Sequence, residues 1–140
     1  MGKNIEIIYH GQTIIAIIIP HDFSEPGISF FTPDEFAQQI AYMQHSAGHV
    51  IPAHIHNKNR REILFTQETL ILRKGKLKVD FYTEGKDFLE SRILVAGDVI
   101  LLASGGHGFS VLEDIEMLEV KQGPYTGIND KTRFAGENLR

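Results

Sequence analysis

The stretch ETLILRKGKLKVDFY, residues 68–82, decides the fold class of this chain. Polar and apolar side chains alternate through 76–81, which is the two-residue period of a half-buried β-strand, and a strand over 68–74 would place Glu68, Leu70 and Leu72 on one face. Gly75 separates the two runs, and a glycine between two strand-like segments is typical of a tight turn. The stretch therefore predicts two antiparallel strands joined by a hairpin.

Glycine breaks recur through the second half of the chain and separate further strand-like segments. The predicted strands are 88–95, 99–103, 107–112 and 115–120. Near the N-terminus, within residues 4–20, the Ile-rich run Thr13–Ile19 predicts another buried strand. Short strands between glycine-centred turns are typical of a sandwich or barrel. The sequence therefore predicts an all-β fold.

One segment, Thr32–Met43, also carries helix signals. Thr32-Pro33-Asp34-Glu35 resembles a capping box with proline at the first helical position. Residues 38–45 alternate acceptably as a strand. We expect one short helical turn near Pro33, followed by a strand.

The composition describes a single globular domain. With 140 residues, 42% of them hydrophobic and 23% charged, the chain has room for one core. A net charge of -4 argues against nucleic acid as the main partner, and the apolar run at 13–19 is too short to cross a bilayer. The absence of cysteine fits a cytoplasmic protein and restricts any metal site to histidine and carboxylate ligands. We expect one domain over 1–140, with a barrel core at about 38–120 and an irregular C-terminal arm at 121–140.

The segment GHVIPAHIH, residues 48–56, carries the candidate chemistry. On a strand, His54 and His56 would project from the same face about 7 Å apart, near enough to converge on one metal ion. Glu68 and His107 are candidate ligands from neighbouring strands. By itself the His-x-His spacing is a weak signal, because two ordinary core or surface histidines often share it.

The wider pattern resembles the two sequence motifs of the cupin superfamily. The matching positions are Gly48, His54, His56, Glu68 and Gly75 for the first motif, and Gly97 and His107 for the second. The resemblance extends over about 40–120 and implies a double-stranded β-helix, the cupin jelly-roll barrel. It also implies a metal site of three histidines and one carboxylate, made by His54, His56, Glu68 and His107. Such ligands suit Fe, Mn, Ni, Zn or Co, and do not choose among them.

The chain departs from the cupin pattern at the acidic ligand. Cupins place the glutamate three or four residues after the histidine pair, whereas Glu68 follows His56 by twelve. Glu62 is closer, but only Glu68 keeps the six-residue gap to Gly75. We favour Glu68 over Glu62, and expect the intervening residues 57–67 to form an insertion or a lengthened hairpin at the barrel mouth.

The resemblance implies a divalent-metal-binding small cupin that acts on or recognises a small polar metabolite. The chain is similar to small cupins of surface-polysaccharide and sugar-nucleotide pathways, so a sugar or sugar nucleotide is the expected ligand. His54, His56 and Glu68 would then be catalytic, in a metal-dependent isomerase, epimerase or oxygenase-type reaction. Other candidate pocket residues are Arg61, Glu62 and Phe109.

Two other functions stay open on the sequence. The first is a non-catalytic module that binds a carbohydrate or metal, or that regulates a partner, because a fold does not define an activity. The second is a metal-free sugar-nucleotide isomerase in which His54 or His56 is the general base. We also expect a homodimer, because Thr13–Ile19 would form an apolar edge open to packing or exchange. No nucleic-acid or membrane partner is expected.

Overall fold

Six strands of this protein form one curled antiparallel sheet, a half-barrel, in a computed structural model that describes residues 4–137. The sheet has the order β1-β2-β7-β5-β6, with β8 paired to β5, and β3 and β4 form a separate hairpin. The strands are β1 (Glu6–His10), β2 (Thr13–Ile19), β3 (Gly27–Phe30), β4 (Ala41–Gln44), β5 (Glu68–Tyr82), β6 (Phe88–Val95), β7 (Val99–Leu102) and β8 (Gly106–Lys121). A short 3-10 turn follows at Gly127–Asn129. The prediction of an all-β fold is confirmed. The ends of the expected domain 1–140, including the last three residues of the expected C-terminal arm, lie outside the described residues.

The long strand β5 organises the sheet, because it pairs with three other strands. Its first residues pair with β7, its second half pairs with β6, and β8 runs beside almost all of it. The predicted hairpin at Gly75 is wrong, since β5 continues through this residue as one strand. The two strands predicted at 107–112 and 115–120 are likewise one strand, β8.

Gly75 instead marks a corner in the β5–β8 ribbon. Its φ is +86°, and a Cβ atom there would overlap the backbone carbonyl of Asp114. The β5–β8 register shifts three times between Leu72 and Leu77, as expected where bulges bend a strand pair. Glycine is therefore needed both for the backbone angle and for the close approach of β8.

The predicted helical turn near Pro33 is not a helix in the structure. The hydroxyl of Thr32 donates to Oε1 of Gln39 (2.6 Å) and accepts from the N–H of Ile40 (3.2 Å), so it caps no helix. The Gln39 amide donates to the carbonyls of three residues between Pro33 and Phe36, which satisfies groups that a helix would have bonded. A turn results, closed by the bond from the Phe36 N–H to the Pro33 carbonyl (3.1 Å). The expected strand follows as β4.

The core packs against the curled sheet. Buried aliphatic and aromatic side chains from five strands pack there, among them Ile8, Ile15, Leu70, Leu72, Leu77, Phe81, Leu94 and Ile100. Strand β2 lies between β1 and β7 and is buried from Ile15 to Ile19. The prediction that Thr13–Ile19 forms an exposed edge for dimerisation is therefore wrong, because both of its edges are paired.

A buried carboxylate ties the β6–β7 turn to the loop after β2. Asp98 accepts hydrogen bonds from the backbone N–H of His21 (2.8 Å) and of Val95 (2.8 Å). Its Oδ1 also lies 3.1 Å from Nδ1 of the His21 ring. Gly97 has a φ of +94° and lies against His21. The predicted Gly97-Asp98 turn thus closes one end of the sheet.

Residues 45–66 join β4 to β5 and are here called the exposed arm. Every residue of the arm is exposed, and none belongs to a helix or a strand. The strand that would project His54 and His56 from a common face is therefore not formed in the structure. The segment lies inside the expected barrel core of 38–120 but adds no strand to the sheet.

Candidate functional site

The curl of the β5–β8 ribbon creates a half-buried acid–histidine pair. Glu68 begins β5 and is in register with Lys121, whereas His107 is in register with Phe81 at the far end of the ladder. Nε2 of His107 nevertheless lies 2.7 Å from Oε1 of Glu68. A straight strand of this length would hold the two ends about 40 Å apart. The corner at Gly75 therefore folds the ribbon back on itself and brings the pair together.

The pair is largely shielded from water, with 14% of the Glu68 side chain and 29% of the His107 side chain exposed. The hydrogen bond from His107 lowers the pKa of Glu68 to about 2, against an ordinary value of 4.5. The nearby carboxyl of Glu119 shares a hydrogen bond with Glu68, and this raises the pKa of Glu119. Glu68 is therefore the charged carboxylate of the site and orients the imidazole of His107.

A cavity of about 710 Å³ opens beside the pair. Its lining comes from both ends of the β5–β8 ribbon, from the β5–β6 turn and from the segment after the 3-10 turn. Four cationic side chains contribute to it: Lys86, Lys121, Lys131 and Arg133. Ligand cavities commonly have volumes of about 300–1,000 Å³, so this one can hold a metabolite.

The C-terminal segment forms one wall of this cavity. The ring of Phe134 meets the ring of Tyr82 edge to face, with centroids 5.0 Å apart. The hydroxyl of Tyr82 accepts a hydrogen bond from the N–H of Glu137 (2.7 Å). A Cβ atom on Gly106 would lie 2.9 Å from Phe134, so the glycine lets the aromatic ring approach β8 closely. The wall is thus held by the packing of Phe134 against Tyr82 and by the hydrogen bond from the Glu137 N–H to the Tyr82 hydroxyl.

Of the residues singled out from the sequence, three meet at this cavity. Glu68 and His107 form the pair, and the ring of Phe109 lies 5.4 Å from the ring of His107. Phe109 lines the cavity, as the pocket prediction expected. Between the two candidate acids, Glu68 is the one at the cavity, whereas Glu62 lies on the exposed arm.

The other candidates do not reach the cavity within one copy of the chain. His54, His56, Arg61 and Glu62 all lie on the exposed arm, and none of them lines the cavity. The rings of His54 and His56 meet edge to face at 5.2 Å, and Nδ1 of His54 lies 3.0 Å from the carbonyl of Pro52. These two imidazoles therefore contact their own arm and not the acid–histidine pair.

Sequence reasoning did not find the residues that complete the cavity wall. Tyr82, Lys131, Arg133 and Phe134 line it. Three of them lie in an irregular segment, where no period marks one side chain as facing inward. Tyr82 falls on the face of β5 opposite to the predicted core face, but it is buried because the C-terminal segment covers it.

The donor atoms of a single copy do not fit the metal ion that the cupin resemblance implies. Among residues 4–137, no group of three or more His, Asp or Glu side chains is placed to hold a metal. Glu68 and His107 alone provide two donor side chains, whereas catalytic zinc sites use three protein ligands. The pair by itself therefore does not complete a metal site.

Comparison of the chain with family models, with curated proteins and with solved structures gives no significant match. Within the described residues, no helix has the length and apolar character needed to cross a membrane.

The geometry of the site indicates the chemistry that it can perform. A carboxylate-oriented imidazole beside a cationic cavity can bind an anion and can transfer a proton.

Proposed function

We propose that this chain binds a small anionic sugar derivative, namely a sugar nucleotide or a sugar phosphate. In this proposal His107 transfers a proton to or from the bound sugar. The observation that carries this proposal is the 2.7 Å contact between His107 and Glu68 at the wall of the cavity. Glu68 lies within hydrogen-bond distance of Nε2 of His107 and so holds the imidazole in one orientation, as a general acid–base histidine requires.

The charge balance of the cavity supports an anionic ligand. Each carboxylate of the lining already has a partner: Glu68 has His107, Glu84 has the N–H of Gly105, and Asp130 has Lys121. Three of the lining cations have no carboxylate within 4.0 Å among residues 4–137, namely Lys86, Lys131 and Arg133. Their charges remain available to a phosphate or diphosphate group.

The resemblance in the sequence also supports the proposal, together with the coarse fold. A half-barrel of antiparallel strands is compatible with a β-barrel, and the cupin double-stranded β-helix stays part of the proposal. Glu68 and His107 come from the two cupin-like motifs, 39 positions apart in the chain, and meet at one cavity. In this proposal His107 takes the place of His54 or His56 as the general base, because His107 is the imidazole at the cavity.

The proposal is tested by binding and by proton exchange with the full chain. We expect calorimetric titration to detect nucleoside diphosphate sugars or sugar phosphates, and not the corresponding neutral sugars. The double variant Lys131→Ala, Arg133→Ala should weaken binding at least tenfold, since it removes two cations from the wall. Proton transfer is measured by NMR as incorporation of solvent deuterium into the bound sugar.

Two variants separate chemistry from binding. His107→Gln should abolish deuterium incorporation and leave binding within a few-fold of wild type. The matched control is His10→Gln, because His10 lies exposed on β1, away from the cavity lining. Binding without deuterium incorporation would identify a non-catalytic binding module, and the absence of binding to every anionic sugar would refute the proposal.

A further inference from the structure

The exposed arm carries large apolar side chains that stay exposed in a single copy, although Ile63, Leu64 and Phe65 line a cavity of about 600 Å³ together with Ser104, Gly105 and Pro124 of the same chain. Six large apolar residues of residues 45–66 are exposed, with Ile55 at 89% and Leu64 at 83%; they are Val50, Ile51, Ile55, Ile63, Leu64 and Phe65. Within the described chain, the hydrogen bonds of the arm join arm residues to one another. An apolar segment of this size is stabilised when another surface removes it from water.

Strand β8 provides an uncovered surface of matching character. It hydrogen-bonds to β5 along one edge, and no strand of residues 4–137 pairs with its other edge. Four of its apolar side chains are exposed: Val111, Leu112, Leu118 and Val120. A 16-residue edge strand with apolar side chains is a template for another extended segment.

The accessible surface of the chain is much larger than that of a closed monomer. It measures 10017 Å². A folded monomer of 15.8 kDa is expected to expose about 7,300 Å². The excess of about 2,700 Å² per copy exceeds the roughly 800 Å² per partner of a standard interface and reaches the range of obligate dimers.

The charges of the two surfaces indicate which segment packs along the unpaired edge of β8. The exposed side chains of β8 include four acids, Glu113, Asp114, Glu116 and Glu119; Glu113 lies 3.5 Å from Lys76, and the other three have no ion pair within 4.0 Å among residues 4–137. The arm carries three basic residues close together, Lys58, Arg60 and Arg61, beside four of the chain's seven histidines. One chain thus contains both a basic, apolar arm and an acidic, apolar edge.

We infer that the exposed arm of each copy packs along β8 of a second copy, in a dimer formed by reciprocal exchange. Because each copy both gives an arm and accepts one, the contact is closed by a two-fold axis and leaves neither surface uncovered. In this dimer His54 and His56 lie on an arm that packs against the second copy. This accounts for their separation from Glu68 within a single chain.

Isotope-mixed cross-linking tests whether the arm reaches another chain. Equal amounts of 14N- and 15N-labelled protein are unfolded and refolded together, then treated with a lysine-reactive cross-linker. Lys58 is the one lysine of the arm, and Lys74, Lys76 and Lys78 lie on β5 directly beside β8. We expect cross-links from Lys58 to these lysines, with about half of the signal joining a 14N peptide to a 15N peptide.

Light scattering of the same protein is expected to give twice the mass of 15.8 kDa. A single-chain mass at every concentration would overturn the inference. Cross-links that join only peptides of the same isotope would overturn the inference too, since the arm would then fold onto its own chain. A dimer without cross-links from Lys58 would place the interface elsewhere and have the same consequence. Because none of these measurements uses a ligand, they are independent of whether the cavity binds a sugar.

A matched pair of variants tests the apolar part of the contact. Ile55→Glu changes a fully solvated arm residue, so it leaves the fold of the chain intact, and it should weaken dimerisation at least tenfold. The control is Ile128→Glu, because Ile128 is 96% exposed on the 3-10 turn, outside both surfaces. Wild-type dimerisation by Ile55→Glu would contradict the inference, as would equal weakening by both variants.

Discussion

Replacing Glu68 by glutamine removes the negative charge of the acid–histidine pair and keeps an oxygen that can accept from His107. The pKa of Glu68 is about 2 in the folded protein, against 4.5 ordinarily, because the hydrogen bond from His107 favours the charged form. A carboxyl with a lowered pKa in the folded state contributes stability that is fully present above its unfolded pKa. That contribution is lost as the pH falls from about 4.5 towards 2.

The size of the effect follows from the same two values. A pKa lowered from 4.5 to about 2 corresponds to about 3 kcal/mol of unfolding free energy at neutral pH. Most domains have about 5–15 kcal/mol in total, so one pair would contribute a large share. We expect the stability difference between wild type and Glu68→Gln to fall by about 2–3 kcal/mol between pH 6 and pH 2.5.

The assay is urea unfolding at several pH values, followed by far-ultraviolet circular dichroism at one fixed protein concentration. A fixed concentration is needed because assembly changes apparent stability. The control is Glu6→Gln, since this carboxylate is 47% exposed, lies 2.7 Å from Arg92 and is not on β8. A surface pair of this kind contributes at most about 1 kcal/mol.

A stability difference between wild type and Glu68→Gln that is equal at pH 6 and pH 2.5 would refute the reasoning. It would mean that His107 does not stabilise the charge of Glu68 in solution. A pH dependence as large in Glu6→Gln would be equally damaging, because the effect would then belong to the surface carboxylates in general.

Three further predictions concern the fold that positions the site. Gly75→Ala should cost at least about 2 kcal/mol of unfolding free energy and weaken ligand binding, because a Cβ atom overlaps β8 at the corner that joins the acid to the histidine. Gly11→Ala is its control, since its φ is +60° but no atom lies within 4 Å of the added Cβ, so only about 1 kcal/mol is expected. Asp98→Ala leaves two backbone N–H groups without their acceptor and should cost about 2–4 kcal/mol in urea unfolding. Leu77→Ala opens a cavity at a fully buried position and should cost about 2–5 kcal/mol of unfolding free energy. A loss under about 1 kcal/mol in Asp98→Ala or in Leu77→Ala would contradict the described packing.

Local patterns predicted the strands well and the turns poorly. The segment 88–95 is a strand with the predicted bounds, and the Gly97-Asp98 turn follows it. Gly75 illustrates the limit, because a positive φ serves a hairpin turn and a bulge equally well. Which of the two forms depends on the strand beside it, here β8, which is distant in the sequence. The capping-box pattern at Pro33 failed for a similar reason, since side-chain bonds from Gln39 satisfied the same backbone groups.

For the site, the spacing of the two motifs predicted that Glu68 and His107 lie near each other, and their side chains are 2.7 Å apart in the structure. The spacing could not indicate that the two meet through the corner at Gly75, or that Tyr82 and Phe134 close the cavity beside them. The expected meeting of His54 and His56 with this pair is absent within one copy, because the segment that carries them stays off the sheet.

The amino-acid order alone indicated most of the segments that form strands and predicted Glu68 and His107 as candidate site residues, because periodicity and residue type are local properties. The tertiary structure decided how far the β5–β8 ribbon bends, which side chains line the cavity, and that the arm with His54 and His56 remains uncovered. These features depend on contacts between segments that are far apart in the chain, and a one-dimensional pattern carries no distance across a sheet.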